Sequence, residues 1–502
     1  MDGSITAPID GGSASRKTAP YLFLGQTTSL CEACLALVPA KIIAEGERVY
    51  YLKRCREHGV QKTLIADDLG YWKAQKDWLK PGDRPLAVQT RTDHGCPYDC
   101  GLCPDHMQHS CLSIVEISDH CNLRCPTCYA ASGPERLTHR TMEEVVAMLD
   151  AIVASEGEAD VVQISGGEPT LHPQFFDILD AAKARPIKHL MVNTNGLRLA
   201  QDAAFAERLA GYAPGLEVYL QFDSLKREAL MDLRGADLRG PHEAALARLD
   251  ALGLSTTLVM TVKRGVNDDE VGDVIRHAQQ HPCVRGVTLQ PIQNAGRVEA
   301  YDAARHRLTV SELRRRIAEQ SGIFTPADVL PVPCNPDTLA MAYAIRNPDS
   351  PGGLVPLTRY LDAATLLSGD RSTIVFEGDP ALKASVFKLF STNHSPESQS
   401  NCLSELLCCL PRIDAPQLNY RDVFRVLIVQ FMDAQSLDIR ALKKSCIHIA
   451  RPDGRLIPFE AYNLFYRDER QAELEVIREE INAQRERRLQ FRPRAAAPLV
   501  RA

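Results

Sequence analysis

The chain has 502 residues, 45% of them apolar, enough to bury a large core spread over two or three domains. Its formal charge of −6 gives no electrostatic footprint for a nucleic-acid partner, and no apolar run is long enough to span a bilayer. With no leader-like start, the expectation is a cytoplasmic protein with at most peripheral membrane contact, whose 16 cysteines are metal ligands before they are packing residues.

Residues 1–20 are rich in Gly, Ser, Ala and Asp and read as a loose tail. Residues 21–90 carry Cys31-x2-Cys34 and then Cys55-x2-His58, two knuckles that suit one tetrahedral ion, zinc or rubredoxin-like iron. Residues 91–111 carry Cys96-x3-Cys100-x2-Cys103, with Cys111 near enough in sequence to add a fourth ligand to the same site. Units this small gain most from a structural metal.

From 112 to 325 short β-branched runs alternate with amphipathic stretches. Strands are predicted at Leu112 to Ser118, Asp160 to Ser165, Lys188 to Asn193, Leu216 to Phe222, Ser255 to Val262 and Arg285 to Gln290. Met142, Val145, Val146 and Leu149 recur at helical spacing between the first two. Six βα units argue for an α/β fold with a parallel sheet, either an open barrel or a doubly wound sheet. In both, chemistry belongs at the C-terminal ends of the strands. Residues 326–467 lose this rhythm and are expected to form a separate, mainly helical C-terminal region. A charged helix and tail follow at 468–502.

Cys121-Asn-Leu-Arg-Cys125-Pro-Thr-Cys128 directly follows the first strand. Three thiolates in one short loop can hold three irons of a cubane cluster and leave the fourth open to a small molecule, whereas an electron-transferring cluster is normally closed by four cysteines. A structural zinc knuckle is the alternative. Later strands end in Gly166-Gly167-Glu168-Pro169, in Asn193-Thr194-Asn195, in Gln221-Phe222-Asp223, and in Lys263 and Arg264 with Asn267. Cys334 and Cys446 are candidate ligands of a further cluster or buried apolar residues; Cys283, Cys402, Cys408 and Cys409 read as structural.

In this order, each at a strand end, these motifs resemble the radical S-adenosylmethionine (SAM) superfamily. The resemblance implies a partial (β/α)6 barrel, a [4Fe–4S] cluster on Cys121, Cys125 and Cys128, and SAM chelating the open iron. It further implies that Gly166, Gly167, Glu168 and Pro169 hold the methionine amino group, and that Asn193, Asn195, Gln221 and Asp223 meet the ribose and methionine parts. Lys263 or Arg264 would balance the carboxylate, and Cys96, Cys100, Cys103 and Cys111 would hold an auxiliary [4Fe–4S] cluster. The upstream triad shares the spacing of the radical triad but follows no strand and has no Gly-Gly-Glu-Pro partner. Relatives place an aromatic residue before the third cysteine, where this chain has Thr127 with Tyr129 adjacent.

The Cys31/Cys34/Cys55 knuckle, the segment from Asp93 to Pro104, the radical triad and the stretch from Ala450 to Phe459 together resemble, over roughly residues 28 to 466, one branch: the archaeal tetraether lipid synthases and relatives described as hydroxymethylpterin methyltransferase-like. Thr338 and Glu460 stand where relatives carry further cysteines, which implies an accessory cluster that is missing or differently ligated. The branch implies an enzyme, of oxidoreductase or transferase type, that cleaves SAM reductively to a 5′-deoxyadenosyl radical and functionalises an unactivated C–H carbon, including C–C coupling of lipid alkyl chains. Methyl transfer to a pterin-like heteroaromatic is the alternative, and a non-catalytic Fe–S electron-transfer protein a third. The implied partners are a small-molecule or lipid substrate and an electron donor such as flavodoxin or ferredoxin.

Overall fold

A computed structural model describes residues 18–347, 350, 352–359, 423–468 and 470–490. Most of the expected N-terminal tail, the end of the C-terminal tail and Cys402, Cys408 and Cys409 lie outside the described residues.

The N-terminal unit is an antiparallel meander of β1 (Leu22–Leu30), β2 (Leu37–Glu45), β3 (Arg48–Cys55) and β4 (Gly59–Ala66). Alternation in β2 and β3 buries Ala40, Ile42, Val49 and Tyr51 on one face, over which Trp72 closes. This core is small, and the Cys31/Cys34 turn and the β3–β4 turn lie together at one end of it.

The second sheet is built on β5 (Leu112–Ser118), β7 (Ala159–Gly166), β8 (Ile187–Thr194), β9 (Leu216–Gln221), β10 (Thr256–Val262) and β11 (Val284–Pro291), paired in parallel in that order. These are the six predicted strands, within a residue or so at each end. One face of these strands, with Val162, Val192, Val218 and Leu220, packs under the crossover helices, while the other carries polar Gln163, His189, Glu217 and Thr257. The predicted helix runs Met142–Glu156 and starts at a Thr141/Glu144 capping box.

The C-terminal segment departs from its expected separate, mainly helical character. Among the described residues of 326–467, β13 (Leu330–Pro331), β14 (Leu339–Arg346), β15 (Leu354–Pro356), β16 (Val423–Val429), β17 (Ile447–Ala450) and β18 (Leu456–Pro458) all join the second sheet. β16 pairs in parallel with β11, and β17 in parallel with β5, so this segment extends the barrel at both edges. The reason is chemical: Val-Phe-Arg-Val-Leu-Ile-Val at β16 is a strand-forming run that must be buried, and the free edge of β11 buries it. The charged stretch forms the helix Arg470–Gln490, as expected.

Candidate active site and metal centres

The Cys121–Cys128 loop leaves the C-terminal end of β5 and is braced on both sides. On one, Gly167 N–H donates to the Ser118 carbonyl (2.6 Å) and Glu168 N–H to the His120 carbonyl (2.8 Å). A Cβ on Gly166 or Gly167 would run into those same backbones, so the glycines are needed where the β7 turn crosses the cysteine loop. On the other side β6 (Thr127–Cys128) pairs with β12 (Arg297–Val298), and Arg297 donates to the carbonyls of Cys125 (2.7 Å) and Ser132 (2.6 Å). Nothing in the sequence around Arg297 marked it as a clamp.

All three cysteines line one cavity of about 110 Å³ together with Gly166, Gly167, Asn193, Asn195 and Gln221. Burial pushes the Cys121 thiol up to about 12 and raises Cys125, whose rise the neighbouring Arg234 opposes. Thiols this reluctant to ionise alone are suited to a cationic metal that stabilises the thiolate. Side chains at the strand ends are joined across the cavity floor. Tyr129 and Asn193 meet Ser165 (3.2 and 2.9 Å), Gln221 donates to Asn193 (2.7 Å), and Arg234 donates to Gln221 (2.9 Å). Ile292, Phe431 and Phe459 form an apolar wall, the two rings stacked 3.9 Å apart.

Five residues expected at the cofactor are engaged by the protein itself. Glu168 is buried, and its carboxylate accepts from Thr170 (2.6 Å), Thr194 (2.7 Å) and Asn195 N–H (2.8 Å), tying the ends of β7 and β8 together. Pro169 begins the buried turn that supplies Thr170. Asp223 is fully buried and accepts from Thr261 N–H (2.8 Å) and from Arg234. Lys263 is buried against Asp232 (2.7 Å), and Arg264 is paired with Glu312. Desolvating these charges requires partners, and the partners come from the protein. The cation at the cavity is Arg234, the last residue of the helix Arg227–Arg234; its one sequence signal is its place behind the β9 motif.

Three further groups of donors stand apart from this cavity. Cys31, Cys34, Cys55 and His58 have all four ligand atoms within 4.8 Å of one another, with neighbours at 3.5 to 3.9 Å. A tetrahedral ion with bonds of about 2.0–2.3 Å has edges of roughly 3.5–3.8 Å. His58, open from sequence, completes the set. Cys96, Cys100 and Cys103 also cluster, and the neighbouring Cys96 and burial hold the Cys100 thiol high. Cys111 does not join them. It lies at the opposite, N-terminal end of β5 against Cys334 and Cys446, which are themselves 3.6 Å apart. The Leu112 N–H bond to the Cys446 carbonyl (3.1 Å), beside the pairing of β17 with β5, sets this grouping.

The sequence model of the Radical SAM superfamily matches residues 115–278, the stretch that holds the cysteine loop and the strand-end motifs. Residues 115–278 form a radical SAM domain, and the chain is an enzyme. The family works with a [4Fe–4S] cluster and SAM. A second model, the HMPTM N-terminal zinc ribbon domain, matches residues 23–67. The chain is 28% identical over 484 residues to the 7,8-dihydro-6-hydroxymethylpterin dimethyltransferase of Methanocaldococcus jannaschii, covering 88% of this chain and 94% of that protein. It is also 28% identical over 247 residues to the GTP 3′,8-cyclase of Streptomyces coelicolor, covering 47% of this chain and 70% of that one. Among solved structures, Streptococcus suis SuiB bound to S-adenosylmethionine aligns with a TM-score of 0.35 and 16% identity over 42% of this chain and 47% of that one. Among the described residues, no helix is long and apolar enough to cross a membrane.

Proposed function

We propose that this radical SAM enzyme transfers methyl groups to a pterin-like heteroaromatic. The observation that carries the reading is the full-length similarity to a protein named as a hydroxymethylpterin dimethyltransferase, ribbon and barrel together. The stacked Phe431/Phe459 wall beside the triad supports it, since aromatic rings offer a flat heteroaromatic a stacking face.

In this reading Cys121, Cys125 and Cys128 hold the [4Fe–4S] cluster, and Gly166, Gly167, Asn193, Asn195 and Gln221 surround SAM. When bound, the two supply an electron and an adenosyl radical able to take hydrogen from a strong C–H bond. The chain's own part is positioning. Arg234 sets a fixed positive charge beside Cys125 for the cofactor's carboxylate, and the Tyr129–Ser165–Asn193–Gln221 chain fixes the floor in one hydrogen-bonded arrangement. Ile292, Phe431 and Phe459 exclude water from the reacting carbon. A flavodoxin- or ferredoxin-like protein would deliver the electron.

Coupling of lipid chains is the second reading. A cleft of about 2100 Å³ between the ribbon and the barrel mouth favours it by size and by Leu35, Leu37, Val476 and Ile477 in its lining, although Arg54, Arg467 and Arg470 set charges among them; it shares Ala295 with the triad's cavity. The test is anaerobic reconstitution with iron and sulfide, reduction with dithionite, and incubation with SAM and either a reduced hydroxymethylpterin or a phospholipid. 5′-Deoxyadenosine with a methylated pterin supports the first reading. 5′-Deoxyadenosine with a coupled lipid and an unchanged pterin overturns it.

A further inference from the structure

A fourth group of donors, without cysteine, lies among the crossover helices on the outside of the barrel. Glu243 on the helix Arg239–Leu252, and His277 and His281 at the end of the helix Val271–Gln280, each bring one ligand atom to within 4.8 Å of the other two. The histidines stand four residues apart, so one helical turn sets both rings on the same side, with centroids 4.8 Å apart. His277 Nε2 lies 3.3 Å from Glu243 Oε1, the length of a tetrahedral edge when bonds are about 2.0–2.1 Å. That contact is not aligned as a hydrogen bond: the nitrogen is buried and makes none among the described residues. The other ring is supported from behind. His281 Nδ1 is 2.7 Å from Asp250 Oδ2, and Asp250 Oδ1 accepts from Cys283 N–H (2.7 Å). Asp250 follows Glu243 by two turns on the same face of its helix. A carboxylate that takes Nδ1–H leaves the lone pair on Nε2 and fixes the ring, the support that metal-binding histidines usually have.

We propose that Glu243, His277 and His281 bind one divalent transition-metal ion of the zinc class between the two crossover helices, with Asp250 holding His281 in place. Two imidazoles and a carboxylate are the nitrogen and oxygen ligands that zinc and its neighbours accept, and three of them leave a fourth position to water. The absence of sulfur from the set separates this ion from the iron–sulfur chemistry of the cysteine loops. Its structural effect is to tie the end of one crossover helix to the face of the other. It also reaches the barrel: the His277 ring stacks on Phe222 at 5.3 Å, and Phe222 stands between Gln221, which lines the cofactor cavity, and Asp223, which holds Arg234. The assignment stands independently of the pterin reading.

The test uses the full chain with its iron centres assembled, brought to equilibrium anaerobically with radiolabelled Zn2+ in the presence of excess Mg2+. Wild type should hold one zinc more per chain than His277→Ala or His281→Ala, while iron and sulfide contents stay equal and serve as the folding control. Asp250→Asn should weaken this zinc by roughly 10–100-fold, and Glu243→Ala by at least as much. Bound zinc should also shield His281 from diethyl pyrocarbonate, read by peptide mass spectrometry. If a histidine variant loses iron together with zinc, Glu243→Ala decides, because its side chain is 55% exposed and its removal leaves the core intact. The proposal is overturned if His281→Ala with its full iron content binds as much zinc as wild type, if Glu243→Ala binds it as tightly, or if zinc leaves His281 as reactive as before.

Discussion

Asp223 and Arg234 are joined by a buried ion pair at the C-terminal end of β9, and the same guanidinium reaches Gln221 and the Cys125 thiol. The carboxylate that the sequence offered to a ribose thus anchors an arginine, and the arginine faces the cofactor cavity. Arg234→Ala removes the cation and leaves Asp223 buried without its partner, so 5′-deoxyadenosine formation should fall by about 100-fold or more, consistent with a loss of ~3 kcal/mol for a charge-assisted hydrogen bond in a water-excluded site. Arg234→Lys should recover part of it. Normal turnover by Arg234→Ala would remove Arg234 from the site.

Substituting any of Cys121, Cys125 or Cys128 by Ala should abolish 5′-deoxyadenosine formation and lower the iron content by about four atoms per chain. Cys96→Ala should lower iron without necessarily removing SAM binding, because its triad lies outside the cavity. A Cys125→Ala protein with full activity would refute the assignment of the triad.

The ribbon should depend on its ion. Cys34→Ser or exhaustive chelation should release one metal and lower the thermal midpoint of the ribbon, since Cys31, Cys55 and His58 then lose the centre that joins the two turns. His58→Cys should keep the ion, and a midpoint unaffected by chelation would show the four donors to be packing only.

His242 gives a pH prediction. It is fully buried, stacked on Phe222 at 5.2 Å, and burial lowers its pKa from 6.5 to about 4. The unfolded chain takes up a proton below pH 6.5 that the folded chain refuses until about pH 4, so stability falls as pH drops through that window. The loss is on the order of 3 kcal/mol at its full extent. His242→Phe should flatten this part of the urea-midpoint profile while leaving the slope above pH 7 unchanged; an identical acid slope in both proteins would exclude His242 as its source.

Glu116 on β5 and Arg467 form a buried two-point pair at 2.7 and 3.1 Å that fastens the C-terminal segment to the barrel rim. Glu116→Gln leaves the guanidinium buried without its counter-charge and should cost about 3–5 kcal/mol in a denaturant titration. A loss below 1 kcal/mol would mean that the pair is hydrated in solution.

The sequence alone determined whatever is local. Six strands were legible because alternating apolar runs and helix faces carry their periods within 10 to 15 residues, the radical triad because its ligands lie within one loop, and the ribbon site because each of its two ligand pairs lies within one turn. Tertiary structure decided what depends on partners far along the chain. Cys111 belongs with Cys334 and Cys446 only because β17 pairs with β5 across more than 300 residues, and β16 completes a sheet that its own sequence placed in a helical region. It also decided which charges face the cavity. Glu168, Asp223 and Lys263 carry the right chemistry for a cofactor, yet a buried charge takes the nearest rigid partner, and that partner is set by packing rather than by spacing.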